Sequence, residues 1–335
     1  MKTYQVYAVG MAIVDYEFQL TSKADWPPEI EKGTTVLIDG QKEKAVLKSL
    51  AQFTPHQACG GTSANTLSVI SGLGGRVFCS CKVAEDESGR LYHQNLRSHG
   101  IESNLDSSAK ATGNTGRCLI LIDTEGEKSL YTQLGANHSL TPADLKPAAL
   151  QNSEYLFIET FLATLPSSKA TITAALQMAK EFSCKIALTL TACKTPGFSP
   201  SRLADFTQHG LDLLFCNELE AAYFCETDDL ETIKESLKKH ARQFIITRGA
   251  KDTILFDGET FFAIPTYPTT AINTTGAGDA FAGAFLHALT TGRNFAQAGI
   301  IGNFAAAQVV KKAGARLDKQ DLETLAAFMQ ASAPA

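Results

Sequence analysis

The stretch "TTGAGDAFAGAF" places three small residues, Gly276, Ala277 and Gly278, directly before the carboxylate of Asp279. An apolar helical pattern follows, so the small residues would lie at the N-terminus of a helix. Backbone N–H groups at such an end bind anions, and phosphate in particular. A carboxylate one residue further could take a proton from an attacking hydroxyl group. An anion hole beside a general base is the pairing that phosphoryl transfer needs.

Two other glycine-rich motifs fit this stretch poorly. A dinucleotide-binding G-x-G-x-x-G motif would have Phe281 at its third glycine, no acidic residue about twenty positions later, and Asp279 facing the pyrophosphate. Nothing matches the Walker A pattern G-x-x-x-x-G-K-[ST]. An ordinary helix start with a first-turn acid would explain Asp279, but not the three small residues before it.

A second group of polar residues lies in the first quarter of the chain. Asp15 ends the strand-like run "AVGMAIVD", where its carboxylate could accept hydrogen bonds from two vicinal hydroxyl groups. Gly60 and Gly61 in "CGGTSAN" allow the backbone to approach a ligand, and Asn65 lies one helical turn further on. These four residues are candidates for holding a diol.

A third group follows two later strands. Asn217 and Glu220 in "FCNELEA" are three residues apart and share a helix face. They could equally be a capping pair with a solvated carboxylate. "IITRGAKDT" places three candidate phosphate contacts at a strand end, and Arg248 could instead point to solvent; the three are Thr247, Arg248 and Gly249.

Taken together, these elements resemble, in order, the motifs of the PfkB carbohydrate kinase family, which has the ribokinase-like fold. The resemblance covers most of the chain and implies ATP and Mg²⁺ as cofactors. It implies Asp279 as the catalytic base, with Gly276, Ala277 and Gly278 as the anion hole. It also implies that Asn217 and Glu220 bind ATP by organising Mg²⁺ water and the nucleotide phosphate. Glu220 would hold Mg²⁺ through water, since magnesium usually keeps several waters.

Further segments resemble adenosine kinases. "TGRCLILI" and "LYTQLGANHSL" are similar to the strand and loop of the adenosine kinase lid, which adds Cys118 and Ala136 to the acceptor site. "FIETFLATLPSS" resembles the aromatic segment beside the nucleoside base and adds Phe161. "GNFAAAQVVKKAGA" resembles the helix that walls the ATP adenine and adds Asn303. We therefore expect adenosine as the acceptor and AMP as the product.

The chain departs from the family at two positions. Asn273 replaces the usual aspartate before "TTGAGD", so potassium stays open as a cofactor. Met11 replaces a polar residue near the base, so a ribokinase- or fructokinase-type sugar acceptor is the alternative. A non-catalytic relative that binds nucleoside or nucleotide is a more remote alternative, and a nicotinamide dehydrogenase is more remote still.

The elements that must position these residues alternate between strands and helices of ten to fifteen residues. Such alternation predicts an α/β fold in which helices cover both faces of a mostly parallel sheet, as in the three-layer ribokinase-like core. Two β-rich stretches interrupt it and predict a small, discontinuous β-sheet lid. We expect the lid at residues 13–40 and 112–136 and the nucleotide-binding core at residues 1–12, 41–111 and 137–335.

Individual elements follow from the same patterns. "TGRCLILIDTEGEKSLYTQL" and "TILFDGETFFAIP" predict β-hairpins. "ACGG" predicts a turn and "PSRLADF" a helix. The last three helices are expected to begin near Ala277, Phe295 and Lys319.

Composition narrows the functional classes. The 335 residues carry a net charge of −5 without a basic cluster, which argues against nucleic acid as a partner. No apolar run reaches the roughly 20 residues that span a bilayer, and the N-terminus lacks a signal-peptide pattern, so we expect a cytoplasmic protein without membrane partners. The eight cysteines show no zinc spacing and are expected to be free thiols. A lid sheet is compatible with a monomer or a homodimer.

Overall fold

The computed structural model describes residues 2–191, 206–207 and 210–332. Most of the helix expected from "PSRLADF" lies outside these residues. The described cysteines are free, and Cys225 is the one among them that is not fully buried.

A nine-stranded sheet forms the centre of the larger part of the molecule. Its strand order is β14-β13-β12-β11-β10-β9-β1-β5-β6. The pairs β12–β13 and β13–β14 are antiparallel, and all other neighbouring strands are parallel. The hairpin predicted from "TILFDGETFFAIP" is the pair β13–β14 at one edge. The strands are β1 (Tyr4–Val9), β5 (Val77–Ser80), β6 (Glu102–Ser103), β9 (Ser153–Glu159), β10 (Lys185–Thr189), β11 (Leu211–Asn217), β12 (Ala241–Arg248), β13 (Lys251–Phe256) and β14 (Phe261–Ile264).

Helices cover both faces of this sheet, because successive residues of a strand point to opposite faces. In β1, Val6 and Ala8 pack into one apolar cluster, and Tyr7 and Val9 pack into another. The helices on the first face are α2 (Thr62–Gly72), α3 (Glu87–Ser98), α8 (Ala277–Thr290), α9 (Phe295–Val309) and α10 (Lys319–Ala331). Those on the second face are α4 (Pro147–Gln151), α5 (Lys169–Glu181), α6 (Glu218–Cys225) and α7 (Leu230–Leu237).

A five-stranded sheet lies beside the larger one, and we call it the small sheet. Its order is β3-β8-β7-β2-β4, in which β7–β8 is the hairpin predicted from "TGRCLILIDTEGEKSLYTQL". One face packs against helix α1 (Gly40–Ser49) through apolar side chains such as Leu119 and Val46. The strands are β2 (Ile13–Gln19), β3 (Thr35–Leu37), β4 (His56–Gly60), β7 (Gly116–Ile122) and β8 (Lys128–Gln133).

The opposite face of the small sheet carries a row of cross-strand neighbours. Asp15 on β2 lies next to Cys118 on β7, which in turn lies next to Thr132 on β8. Neighbouring residues in adjacent strands project from the same face of a sheet. Half-buried Leu37 and Ile120 belong to the same face and pack toward the core of the large sheet. This face is therefore turned toward the larger part of the molecule.

The small sheet extends beyond the segments expected for the lid. Residues 58–60, expected as part of a turn, belong to β4, which pairs with β2. Strand β4 and helix α1 both lie outside the expected segments 13–40 and 112–136, yet both pack with the small sheet. Within the described residues, no helix is both long and apolar enough to span a membrane.

Candidate active site

A cleft of about 580 Å³ opens at the carboxyl ends of strands β10, β11 and β12. Ligands of open α/β sheets bind at this edge. The residues predicted for ATP and for the anion hole converge here from three separate segments of the chain. Those that line the cleft are Asn217, Glu220, Thr247, Arg248, Gly249, Ala277, Gly278 and Asp279.

The glycine-rich turn before α8 forms one wall of the cleft. Gly276 caps the helix with φ +82°, and a Cβ there would overlap the backbone carbonyl of Ala315. Both the backbone conformation and the close approach therefore require glycine. The Ala277 N–H was expected to be available to an anion, but it donates to Thr274 O at 3.2 Å. A Cβ on Gly278 would meet open space, so a ligand can approach the first turn at that point.

Asp279 follows in the first turn of α8 and is half-buried. Its Oδ2 accepts a hydrogen bond of 2.8 Å from Asn65 Nδ2. Burial raises the pKa of Asp279 to about 6, although the Asn65 hydrogen bond and the Arg316 charge oppose this rise. A carboxylate whose pKa lies near neutrality suits a general base.

Asn217 and Glu220 form a capping box at the start of α6. Asn217 Oδ1 accepts from Glu220 N, and Glu220 Oε2 accepts from Asn217 N, both at 2.8 Å. The two residues therefore do form the capping pair, and Glu220 also lines the cleft. Burial raises the pKa of Glu220 to about 7, and the charge of Asp279 contributes to that rise. Both carboxylates line the cleft, where a hydrated cation would reduce the repulsion between them.

Arg248 lies at the end of β12 and is already paired. Its Nε donates to Glu218 Oε1 at 3.0 Å, and Lys251 Nζ lies 3.3 Å from the other oxygen of the same carboxylate. Thr247 Oγ1 donates to Cys216 O at 3.4 Å. Both residues line the cleft, so a phosphate there would meet a guanidinium partly neutralised by Glu218.

Three of the residues predicted for the acceptor, Asp15, Gly60 and Gly61, lie beside the start of α2, whose Asn65 donates to Asp279. Asp15 is half-buried on β2, and burial raises its pKa to about 7 against the opposing charge of Arg316. Gly60 lies on the neighbouring strand, where a Cβ would be 2.6 Å from Asp15 Oδ2. Gly61 has φ +92°, and a Cβ there would be 2.5 Å from Met11 O. Gly60 therefore keeps space for the Asp15 carboxylate, and Gly61 joins β4 directly to α2 while passing close to the Met11 carbonyl.

The structure does not bring every predicted residue to an open surface. Asn303 is 4% exposed, and its amide binds Thr253 Oγ1 and the carbonyls of Ile264 and Pro265. It therefore fixes α9 to the edge hairpin and does not line the cleft. Ala136 is buried in a separate small cluster.

Two other predicted acceptor residues lie near the site and differ in exposure. Cys118 is buried beside Asp15, and its sulfur accepts from Thr132 Oγ1 at 3.3 Å. Phe161 is half-buried just beyond β9, where its N–H donates to Thr191 Oγ1.

Sequence reasoning missed two charged residues of this site. Glu159, at the end of β9, is 1% exposed and accepts hydrogen bonds from the N–H groups of Met11 and Ser63. Its position at a strand end could have identified it. Arg316 contacts Asn65 from a segment 251 residues away, and no local pattern marks it.

The arrangement brings two chemical environments to one carboxylate. Asp279 lines the cleft, which holds the first turn of α8 and the capped end of α6, and through Asn65 it is hydrogen-bonded to the helix that begins beside Asp15 and its neighbouring glycines. Asp279 can therefore receive a proton from a hydroxyl group that faces the cleft. Among the described residues, no group of three or more His, Cys, Asp or Glu side chains is arranged to hold a metal ion.

Comparison with known proteins relates the chain to sugar and nucleoside kinases. Residues 36–322 match the model of the pfkB family carbohydrate kinases. Adenosine kinase of Saccharomyces cerevisiae is 26% identical over 93% of this chain and 96% of its own. Ribokinase of Bacillus subtilis is 28% identical over 77% of this chain and 83% of its own. The crystal structure of adenosine kinase from Sinorhizobium meliloti superimposes with a TM-score of 0.83 at 26% identity, covering 99% of this chain and 100% of the other.

Proposed function

The chain belongs to the pfkB family of carbohydrate kinases and has the ribokinase-like α/β fold, and we propose that it transfers the terminal phosphoryl group of ATP to the primary hydroxyl of adenosine. The observation that carries this proposal is the position of Asp279. Its carboxylate lines the cleft, and it accepts a hydrogen bond from Asn65 on α2, the helix that begins just after Gly60 and Gly61 beside Asp15.

Each predicted side chain has a defined task in this reaction. Asp279 accepts the proton of the acceptor hydroxyl group. At the same time, the hydroxyl oxygen forms a bond to the transferred phosphorus, and the bond from that phosphorus to the leaving ADP oxygen breaks. The N–H groups at the start of α8 other than that of Ala277, which donates to Thr274 O, stabilise the charge on the transferred group. Mg²⁺, when bound through water near Glu220, would neutralise phosphate charge.

The Asp15 side of the site would hold the ribose. Its carboxylate accepts hydrogen bonds from two neighbouring hydroxyl groups, and Gly60 and Gly61 let the sugar approach the backbone. Half-buried Leu37 and Ile120 lie on the same face of the small sheet as Asp15, and half-buried Phe161 packs against the same apolar cluster as these two residues. Such apolar side chains suit a flat purine better than a small, hydrated sugar. They are the support for adenosine over a free sugar.

A ribokinase- or fructokinase-type sugar is the second candidate acceptor. The ribokinase relative supports it, since its identity to this chain is similar to that of the adenosine kinase relative. The adenosine kinase relative, however, matches along almost the whole of both chains.

A panel of acceptors tests this proposal. The kcat/KM values for adenosine, inosine, ribose and fructose are measured with ATP and Mg²⁺, and we expect adenosine to exceed each free sugar by at least about tenfold, as one well-placed apolar contact provides. A higher value for ribose or fructose would establish the sugar kinase alternative. Stoichiometric binding of adenosine without phosphoryl transfer would instead establish a non-catalytic binding protein.

A further inference from the structure

Arg316 connects three segments around the proposed base. It lies in the segment between α9 and α10, and its Nε donates to Asn65 Oδ1 on α2 at 2.8 Å. Its Nη1 donates to Asn95 Oδ1 on α3 at 2.6 Å. The guanidinium group is thereby held by two side-chain amides.

The chemistry of arginine determines how the Asn65 amide is oriented. A guanidinium group only donates hydrogen bonds, so Asn65 must turn its carbonyl oxygen toward Arg316. Its NH₂ group then faces the other way and donates to Asp279 Oδ2 at 2.8 Å. With the amide reversed, Asn65 would present an oxygen to the carboxylate, and the two groups would repel each other.

We propose that Arg316 is a positioning residue for the proposed base: it fixes the Asn65 amide in the orientation that donates to Asp279 Oδ2. This inference rests on the proposed function, in which Asp279 accepts the proton of the acceptor. By holding Oδ2, Asn65 fixes the orientation of the carboxylate that receives the acceptor proton. Asn65, predicted only as an acceptor ligand, thereby gains a role toward the base.

The backbone holds Arg316 in register with the turn that carries Asp279. Gly276 approaches the Ala315 carbonyl more closely than any side chain would allow, and Asn273 Nδ2 donates to Gly314 O at 3.3 Å. Ile272 N donates to Val310 O at 2.7 Å. These contacts place the arginine and the base on two neighbouring segments that are tied together.

The charges around Asp279 give the guanidinium a second effect. Burial raises the pKa of Glu159 at the end of β9 and of Glu220 on α6, and the negative charge of Asp279 adds to both shifts. Arg316 opposes this surplus of negative charge and lowers the pKa of Asp279 and of Asp15. From α2, Thr62 contributes a hydrogen bond to Asp279.

One donor group of Arg316 remains unused by the protein. Its Nη2 is buried and has no hydrogen-bond partner among the described residues. An arginine that served packing alone would leave this donor unsatisfied at a cost. The guanidinium therefore keeps one donor group that a bound molecule can satisfy.

The test compares Arg316→Met, which removes the charge and keeps the length, with Arg316→Lys, which restores the charge without the fork. Arg90→Met is the matched control, because Arg90 is exposed on α3. We expect Arg316→Met to lower kcat at least about tenfold while the KM for ATP stays within about twofold. The acidic limb of the pH–kcat profile should move upward by about one pH unit. Arg316→Lys should return the acidic limb of the pH–kcat profile to its wild-type position but restore only part of kcat.

A second measurement does not depend on turnover. The pKa of Asp279 is read by NMR from proteins labelled at the aspartate carboxyl carbon, with its signal assigned by its loss in Asp279→Asn. We expect Arg316→Met to raise this pKa and Arg90→Met to leave it unchanged.

An unchanged Asp279 pKa in folded Arg316→Met would overturn the inference, as would a rise confined to the KM for the acceptor. A wild-type protein that phosphorylates nothing in the acceptor panel, yet shows the expected pKa change, would refute the proposed function alone. If Arg316→Met does not fold, the kcat deficit of Arg316→Lys decides, and a wild-type kcat would contradict the inference.

Discussion

The Asp15 carboxylate occupies space that a side chain at position 60 would need: a Cβ on Gly60 would lie 2.6 Å from Asp15 Oδ2. Real Cβ atoms do not approach oxygen atoms so closely, so any larger residue must displace the carboxylate. The two residues lie on adjacent strands of the small sheet, where β4 pairs with β2.

The first prediction follows from this contact. Gly60→Ala should raise the KM for the acceptor by at least about tenfold, because Asp15 loses the position from which it binds two hydroxyl groups. The KM for ATP should stay within about twofold. Gly40→Ala is the matched control, because a Cβ there meets no atom within 4 Å. Equal acceptor KM values in Gly60→Ala and wild type would show that Asp15 does not hold the acceptor.

Asp279→Asn tests the base. The amide keeps the size of the side chain but cannot take a proton, so kcat should fall by about 10²- to 10⁴-fold. ATP binding, measured by titration calorimetry, should change less than about threefold. Asp228→Asn makes the same chemical change at an exposed position and should leave kcat unaltered. A near-wild-type kcat in Asp279→Asn refutes the assignment.

Glu159 should make the stability of the protein depend on pH. Burial raises its pKa to about 7 from an ordinary 4.5, so the folded protein keeps a proton that the unfolded chain releases between these values. The free energy of unfolding should therefore fall as pH rises through this window. Glu159→Gln has no such proton. The free energy of unfolding of the wild type, relative to that of Glu159→Gln, should therefore decrease by on the order of 3 kcal/mol between pH 4.5 and pH 7.

Urea unfolding at a series of pH values measures this difference. Glu181→Gln, at an exposed position on α5, should give a curve parallel to the wild type. Parallel curves for Glu159→Gln as well would mean that Glu159 is ionised throughout.

Asn273 leads to a prediction about potassium. Its amide donates to Gly314 O, and its own oxygen accepts from Thr275 N, so both ends of the side chain are already bonded within the protein. We expect replacement of K⁺ by tetramethylammonium to change kcat by less than about twofold. Asn273→Asp, which supplies a carboxylate beside the Gly314 carbonyl, should increase the response to K⁺. A strong K⁺ activation of the wild type would contradict this expectation.

The fold was predictable where local patterns carry it. The helices begin at Ala277, Phe295 and Lys319 as expected, since small residues or capping side chains precede each of them. The ribokinase-like α/β core with a second small sheet is confirmed. Strand β4 was missed, because "HQACG" has exposed polar residues and no alternation of apolar side chains. Pairing with β2 alone makes it a strand.

The site was predictable where motifs follow strand ends, and less so where distant segments meet. Asn217 and Glu220 reach the cleft because β11 ends there. Asn303 was predicted from resemblance, but its amide is used by the hairpin β13–β14. Arg316 reaches Asn65 only through tertiary packing, which no spacing in the sequence reveals.

The direct connection of β4 to α2 limits how this enzyme can change its acceptor during evolution. Gly61 is the single residue between the strand that ends beside Asp15 and the helix that carries Asn65. An insertion there would alter the connection that positions the start of α2 beside Asp15, and with it the hydrogen bond between Asn65 and Asp279. A larger or smaller acceptor must therefore be accommodated by substitutions of side chains and not by a change in length at Gly61.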